Sequence, residues 1–183
     1  MKKISVVVPM YYEEEVANEC YNRLKTVLEK IENYMYEIIF INDGSKDKTL
    51  EILEEIAKED ENVKVISFAR NFGHQCAVTA GLKYVTGDAI VIIDADLQDP
   101  PELIPEMLKL WEKGNEVIYG KRKSREGESK FKLLTASMFY KTLNALSDVE
   151  IPKDTGDFRL VDRKVVDVIN SFWTSSRKIN GKS

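Results

Sequence analysis

Short apolar runs rich in Val and Ile alternate along this chain with longer segments of helical periodicity, and that alternation constrains the fold more than any other feature. The runs are "ISVVVP" (4–9), "YEIIFIN" (36–42), "VKVISF" (63–68), "DAIVIID" (88–94) and "EVIYGKR" (116–122). Most are apolar on successive rather than alternate residues, the pattern of strands buried on both faces. Between them, apolar residues recur three or four apart. Residues 14–32 place Ala17, Cys20, Leu24, Val27 and Ile31 on one side of a helix. Asp47 caps a second helix, which carries Leu50, Leu53 and Ile56 and runs to about Glu59. "HQCAVTAGLKYV" (74–85) reads as a third, and Pro101 opens a fourth that reaches about Lys113 with Met107, Leu108 and Trp111 inward. Such a sequence specifies an α/β protein with a mostly parallel sheet flanked by helices, in which ligands bind beyond the carboxyl ends of the strands. With 183 residues the expectation is one domain, 1–183.

Acids gather at those carboxyl ends. "DAIVIIDADLQDPPE" (88–102) runs from a buried strand straight into Asp94, Asp96, Asp99 and Glu102. "INDGSKD" (41–47) brings Asp43 to the end of the second strand, and "VPMYYEE" (8–14) brings Glu13 to the end of the first. One rim therefore collects Glu13, Asp43, Asp94 and Asp96. A single loop Asp is ordinarily a turn former or a helix cap, and Asp47 and Asp99 are read that way. Asp94 and Asp96 differ, because two carboxylates so close repel unless a cation, hydrogen-bond donors or a proton compensates them. Asp-x-Asp at a strand end suits Mg²⁺ or Mn²⁺, hard cations that take oxygen ligands and keep positions for substrate phosphates. His74, the one histidine, reads as a helix-start residue. Gly73, Gly81 and Gly87 read as turn and packing residues, since their spacing matches no phosphate-binding loop.

The charge balance narrows the class further. A net charge of −4 argues against a nucleic-acid partner. Cys20 and Cys76 match no metal or redox spacing and read as free thiols of a reducing compartment. The first apolar run is too short for a secretory leader and meets acids instead of a cleavage site. No stretch approaches the roughly 18 apolar residues of a membrane-spanning helix. The expected location is cytoplasmic. Residues 121–141 reverse the sign of the chain, with seven Lys/Arg against two Glu, a local charge of +5. The helical pattern at 131–146 that follows is apolar around much of its circumference, from Phe131, Leu133 and Leu134 to Met138, Phe139 and Leu143. It reads equally as a core or homo-oligomer helix beside a solvated basic loop and as a helix lying on an anionic membrane surface.

The segments "VVVPMYYEEE", "IIFINDGSKDKT", "ARNFGHQCAVTAGLKYVTGD", "IDADLQDPPE", "YGKR" and "DTGDFRL" resemble, in order and spacing, the family-2 nucleotide-sugar glycosyltransferases. The resemblance spans residues 4 to about 165 and is strongest to the branch of the dolichol-phosphate mannosyltransferases and undecaprenyl-phosphate glucosyltransferases. It implies a glycosyltransferase A-type, Rossmann-like sandwich and an inverting, metal-dependent transfer from a UDP- or GDP-sugar to a polyprenyl phosphate. By the same resemblance Pro9, Tyr11 and Glu13 would line the nucleoside pocket, and Ile41 and Asp43 would contact base and ribose. Asp94 and Ala95 would lie along the nucleotide, and Asp96 and Gln98 would hold Mg²⁺ or Mn²⁺. Arg122 matches the basic position near the phosphates, and Asp157 the acidic position of a candidate catalytic base. Arg125 and Arg159 would join Arg122 at the acceptor phosphate. The family usually has Asn where this chain has Tyr12.

The resemblance further implies a protein peripheral at the inner face of the cell membrane. Two other readings stand beside it: a family-2 transferase with a sugar-hydroxyl acceptor in cell-surface polysaccharide synthesis, and a non-catalytic nucleotide-binding module. Lipid-linked relatives continue into a further basic segment and two spanning helices, whereas this sequence ends at "SSRKINGKS", as a C-terminally truncated piece or a short member would.

Overall fold

A computed structural model describes residues 1–96, 98–121 and 155–179, with side chains for 1–96, 98–120 and 158–171. By its internal contacts the chain divides into two compact units, Met1–Ile118 with Asp157–Ser183, and Tyr119–Gly156. Nearly all of the second lies outside the described residues, as does the helix expected over 131–146.

The sheet has six strands in the order β3-β2-β1-β4-β6-β5. They are β1 (Lys2–Met10), β2 (Tyr34–Asn42), β3 (Val63–Ser67), β4 (Ala89–Ile92), β5 (Val117–Lys121) and β6 (Thr155–Asp162). β1 pairs in parallel with β2 and with β4, and β2 with β3. The expected mostly parallel sheet is therefore present. Its registers place Met10 opposite Asn42 and Val7 opposite Ile92, so the carboxyl ends of the three central strands emerge along one edge.

Two apolar layers hold the sheet. On one face Ile4, Val6, Val8 and Phe40 pack with Leu24 of α1 (Ala17–Leu28), Leu53 of α2 (Thr49–Glu59) and Met107 of α4 (Ile104–Glu112). On the other, Val7, Ile39, Ile41 and Ile92 pack with Ala77 and Leu82 of α3 (His74–Tyr84) and Val166 of α5 (Arg163–Ile179). Each central strand thus buries both sets of alternate side chains, which is why its sequence is apolar without a break. Gly81 lets α3 lie close to the sheet: a Cβ there would stand 2.5 Å from Val7 Cγ1 and 2.9 Å from Ile41 Cδ1. Pro101 begins a 3-10 turn, Pro101–Leu103, that leads into α4, as its fixed φ favours. The Glu102 carboxylate of this turn accepts two hydrogen bonds from the Arg23 guanidinium, at 2.7 and 2.8 Å, tying α1 to the segment before α4.

β6 and α5 are elements that the sequence reading did not assign. β6 runs antiparallel to β4, with Arg159 opposite Ile92. Its signal is the alternation of buried Phe158 and Leu160 with half-buried Arg159, a period of two only a few residues long. Among the described residues no helix is long and apolar enough to cross a membrane.

A buried carboxylate pins the amino ends of the strands. Glu37, 1% exposed, accepts hydrogen bonds from Lys64 Nζ (2.8 Å), Lys3 Nζ (3.0 Å), Ser5 Oγ (2.6 Å) and the Thr86 N–H (2.6 Å). Burial by itself pushes this carboxyl up, but the bonds from Lys64, Ser5, Thr86 and Lys3 outweigh it and hold the pKa at about 2. The folded value lies below the unfolded one. The stabilisation is therefore complete above the ordinary glutamate range and is lost as pH falls from about 4.5 towards 2. Glu37→Gln is expected to cost on the order of 3 kcal/mol at pH 7, at about 1.4 kcal/mol per unit of the fall from 4.5 to about 2. Urea unfolding of both proteins at pH 7 and pH 3 tests this, and the gap between them should narrow in acid.

Candidate active site

The loops that leave β1, β2, β3 and β4 frame a cleft of about 290 Å³ at the carboxyl edge of the sheet. β1 and its loop contribute Pro9, Met10, Tyr11 and Glu13 to its wall, and β2 contributes Asp43. Asp94, Ala95 and Asp96 come from the end of β4. Asn71, His74 and Ala77 come from the loop after β3 and the start of α3.

These loops are fastened to one another by hydrogen bonds that the sequence supplies at each turn. The Tyr12 N–H donates to Ser45 Oγ (3.0 Å) and the Glu13 N–H to Thr49 Oγ1 (2.9 Å). The Glu14 carboxylate accepts the Lys48 N–H (2.8 Å), and Asp47 accepts the Thr49 N–H (3.1 Å) in a turn just ahead of α2, whose N-cap is Lys48 where Asp47 was expected. Asp43, 3% exposed, then joins the β2 loop to the β3 loop: its two oxygens accept the N–H groups of Phe72 (2.7 Å) and Gly73 (2.9 Å). Gly44 makes this approach feasible. Its φ is +72°, and a Cβ would fall 2.3 Å from the Arg70 carbonyl carbon.

Tyr12 also has a left-handed backbone, with φ of 58°. Asn adopts that conformation more readily than Tyr, which gives a local reason for the usual family residue there. The Tyr12 ring packs edge-on against Tyr11, centroids 4.6 Å apart, and both rings are about half exposed at the mouth of the cleft.

The floor of the cleft is acidic. Burial, and then the charges of Asp96, Asp47 and Asp94, push the Glu13 carboxyl above its ordinary range. Asp96 Oδ1 accepts the Gln98 N–H at 3.0 Å, a two-residue turn that sets the direction of the Asp96 side chain. Among the described residues no three His, Cys, Asp or Glu side chains converge as a ready cage for a metal ion. Glu13, Asp94 and Asp96 give the cleft wall carboxylate oxygens, the donor type that hard divalent cations take.

The structure brings Pro9, Tyr11, Glu13, Asp43, Asp94, Ala95 and Asp96 into one cleft. It does not bring Ile41 there: that side chain is fully buried under α3. Gln98 is exposed on the same loop as Asp96 but is not part of the cleft wall. Arg159 is half buried on β6, and Asp157, two residues earlier on the same strand, has only its backbone described. Arg122 and Arg125 lie outside the described residues. Met10, Asn71, His74 and Ala77 are the wall residues to which sequence reasoning assigned no site role. His74 does begin α3, as expected, and its Nε2 also stands 3.7 Å from Asp94 Oδ1.

The chain is 57% identical over 163 residues to the uncharacterised glycosyltransferase YkcC of Bacillus subtilis, covering 89% of this chain and 50% of that protein. It is 45% identical over 167 residues to a prophage bactoprenol glucosyl transferase homologue of Escherichia coli, covering 91% of this chain and 54% of the other. The chain thus spans about half the length of the curated relatives it matches. Among solved structures, glucosyl-3-phosphoglycerate synthase of Mycobacterium tuberculosis, crystallised with Mn²⁺, UDP and phosphoglyceric acid, superposes with a TM-score of 0.63 at 22% identity. That match covers 89% of this chain and 56% of the synthase, and the shared fold is the glycosyltransferase A-type. The family model described as Glycosyl transferase family 2 matches residues 5–169, and the chain belongs to that family.

Proposed function

We propose that this chain is the catalytic part of an inverting, metal-dependent transferase that moves a sugar from a UDP- or GDP-sugar to a polyprenyl phosphate. The observation that carries the reading is the acidic cleft at the carboxyl edge of the sheet, Glu13, Asp94 and Asp96 together, in a chain 45% identical to a bactoprenol glucosyl transferase homologue. Pro9 and Tyr11 take the nucleoside, and Asp94 and Ala95 lie along the nucleotide. Asp96 and Gln98 would hold Mg²⁺ or Mn²⁺, which when bound offsets the charge that grows on the departing diphosphate.

By the resemblance in sequence, Arg122 would serve the same phosphates, and Arg125 and Arg159 the acceptor phosphate. A lipid phosphate is already largely ionised near neutral pH, its second pKa being about 6. Asp157 then serves to orient the acceptor or balance Arg159 more than to remove a proton. β6 suits this assignment, because it runs antiparallel beside β4 and leads Asp157 towards the β4 end that carries Asp94. The basic segment 121–141 holds the protein at an anionic membrane, each basic residue contributing about 1 kcal/mol near the surface.

Asp96→Ala is expected to remove the Mn²⁺-dependent part of UDP or GDP affinity, a loss of roughly tenfold or more, measured by titration calorimetry with and without Mn²⁺. Unchanged Mn²⁺-dependent affinity would remove Asp96 from the metal site. Asp43→Ala strands the N–H groups of Phe72 and Gly73, so it should lower stability by about 1–3 kcal/mol and weaken nucleotide binding while leaving its dependence on Mn²⁺ intact. Sedimentation with anionic and neutral vesicles tests the membrane assignment: binding should require anionic lipid and fade at high salt. Equal, negligible binding to both at low salt would leave 121–147 as a packing or oligomer element.

A further inference from the structure

We propose that Tyr12 is a positioning residue for the donor: its ring props the Tyr11 ring so that a face of Tyr11 is held ready for the nucleobase. The proposal rests on the nucleotide-sugar reading above and adds to it a residue at which this chain departs from the usual Asn. Tyr12 holds a left-handed backbone, with φ of 58°, which bulky L-residues rarely adopt. Burial does little to offset that strain, because the residue is 49% exposed. Among the described residues its ring meets that of Tyr11, with centroids 4.6 Å apart and planes at 81°. Backbone strain kept for a half-exposed ring at the mouth of a cleft points to a role in binding.

The geometry of the pair says what the contact does. An edge-on pair uses one face of one ring, so Tyr11 keeps at least one face clear of Tyr12, whereas a stacked pair would use a face of each. Tyr11 lines the cleft and Tyr12 does not, so Tyr12 acts on a ligand through Tyr11. The prop stands on a fixed base. The Tyr12 N–H donates to Ser45 Oγ (3.0 Å), and the Ser45 N–H donates in turn to Oδ1 of Asn42 (3.1 Å), buried at the end of β2. The left-handed φ then sets the direction in which the Tyr12 side chain leaves that base. The ligand group follows from its shape. In a nucleotide sugar the ribose and the hexose are puckered and the diphosphate is charged, so the base is the part that is flat and offers a π-face. Every base can stack on an aromatic side chain, which makes the contact one of affinity and orientation, not of base identity.

A double-mutant cycle tests this. Wild type, Tyr12→Asn, Tyr12→Phe, Tyr11→Leu and the Tyr11→Leu/Tyr12→Asn double variant are titrated with UDP and with GDP in the presence of Mn²⁺, and each is melted without ligand. Tyr12→Asn should bind the nucleotide roughly two- to tenfold more weakly than wild type, the effect of one lost aromatic pair. It should melt at or above the wild-type temperature, because Asn suits the left-handed backbone. Tyr12→Phe, which keeps the ring, should bind as wild type does. On the Tyr11→Leu background the Asn substitution should cost nothing further, since the ring it props is gone. Ribose 5-diphosphate, which lacks the base, should not distinguish Tyr12→Asn from wild type. Tyr12→Gly, also suited to φ of 58°, replaces the Asn variant should that one not fold. Wild-type nucleotide affinity of Tyr12→Asn overturns this inference alone. So does an equal loss on both backgrounds or with ribose 5-diphosphate, which would make Tyr12 a support of the loop and not of the Tyr11 ring. Failure of wild type to bind either nucleotide overturns the donor reading and this inference with it.

Discussion

The N–H groups of Phe72 and Gly73 end on the Asp43 carboxylate, and much of the cleft hangs on those two hydrogen bonds. β3 and α3 are joined by residues 68–73, where Phe68 packs on the core and edge-on against Phe72. Beyond Phe68 the Asp43 carboxylate sets the path by accepting two donors from consecutive residues, and each charge-assisted bond is stronger than a neutral one. Asn71, His74 and the start of α3 follow from that path. On the other side of β2, Ser45, Asp47 and Thr49 fasten the β1 loop in the same way. The acidic floor is thus assembled from loops that already hold one another, an arrangement that lowers the ordering cost of binding.

β2 carries a buried carboxylate near each of its ends, and they solve the same problem differently. Glu37 is neutralised by two lysines from the flanking strands and belongs wholly to the architecture. Asp43 is met by backbone N–H groups, which satisfy its oxygens without bringing a countercharge. The amino edge of the sheet is therefore electrically closed, while the carboxyl edge keeps negative charge where β1, β2 and β4 open into the cleft. Charge and topology agree on which edge is functional.

Most of the fold was legible because both-face burial leaves continuous apolar runs. β1 to β5 and the first four helices follow the sequence pattern, with shifts of one to four residues at their ends. β6 escaped because its alternation covers only Phe158 to Leu160, and α5 escaped with it although Asp162, just before the helix, accepts the Lys164 N–H at 2.8 Å. The acids of the rim were legible as a set, since strand ends in a parallel sheet must share an edge. What the sequence could not reveal was how they divide. Glu102 looks like a further site acid and is instead tied by Arg23. Asp43 looks like a ligand contact and also builds the neighbouring loop. His74 looks like a helix start and also faces Asp94, because its partner lies 20 residues ahead in sequence and on another strand end.

That division bears on how such a cleft can accept a diphosphate at all. Burial first, and then the charges of Asp96, Asp47 and Asp94, push the Glu13 carboxyl above its ordinary range, so the cleft repels further negative charge. A polyanionic ligand arriving alone would add to this repulsion, whereas one arriving with a divalent cation would relieve it. On the proposed donor reading, the acids favour a diphosphate that arrives with its cation over a free one. Specificity for the remainder of the donor has to come from groups that are neither crowded nor purely acidic. On the described wall those are the ring of Tyr11, the amide of Asn71 and the imidazole of His74. Asn71 and His74 flank the Phe72 and Gly73 N–H groups that Asp43 holds.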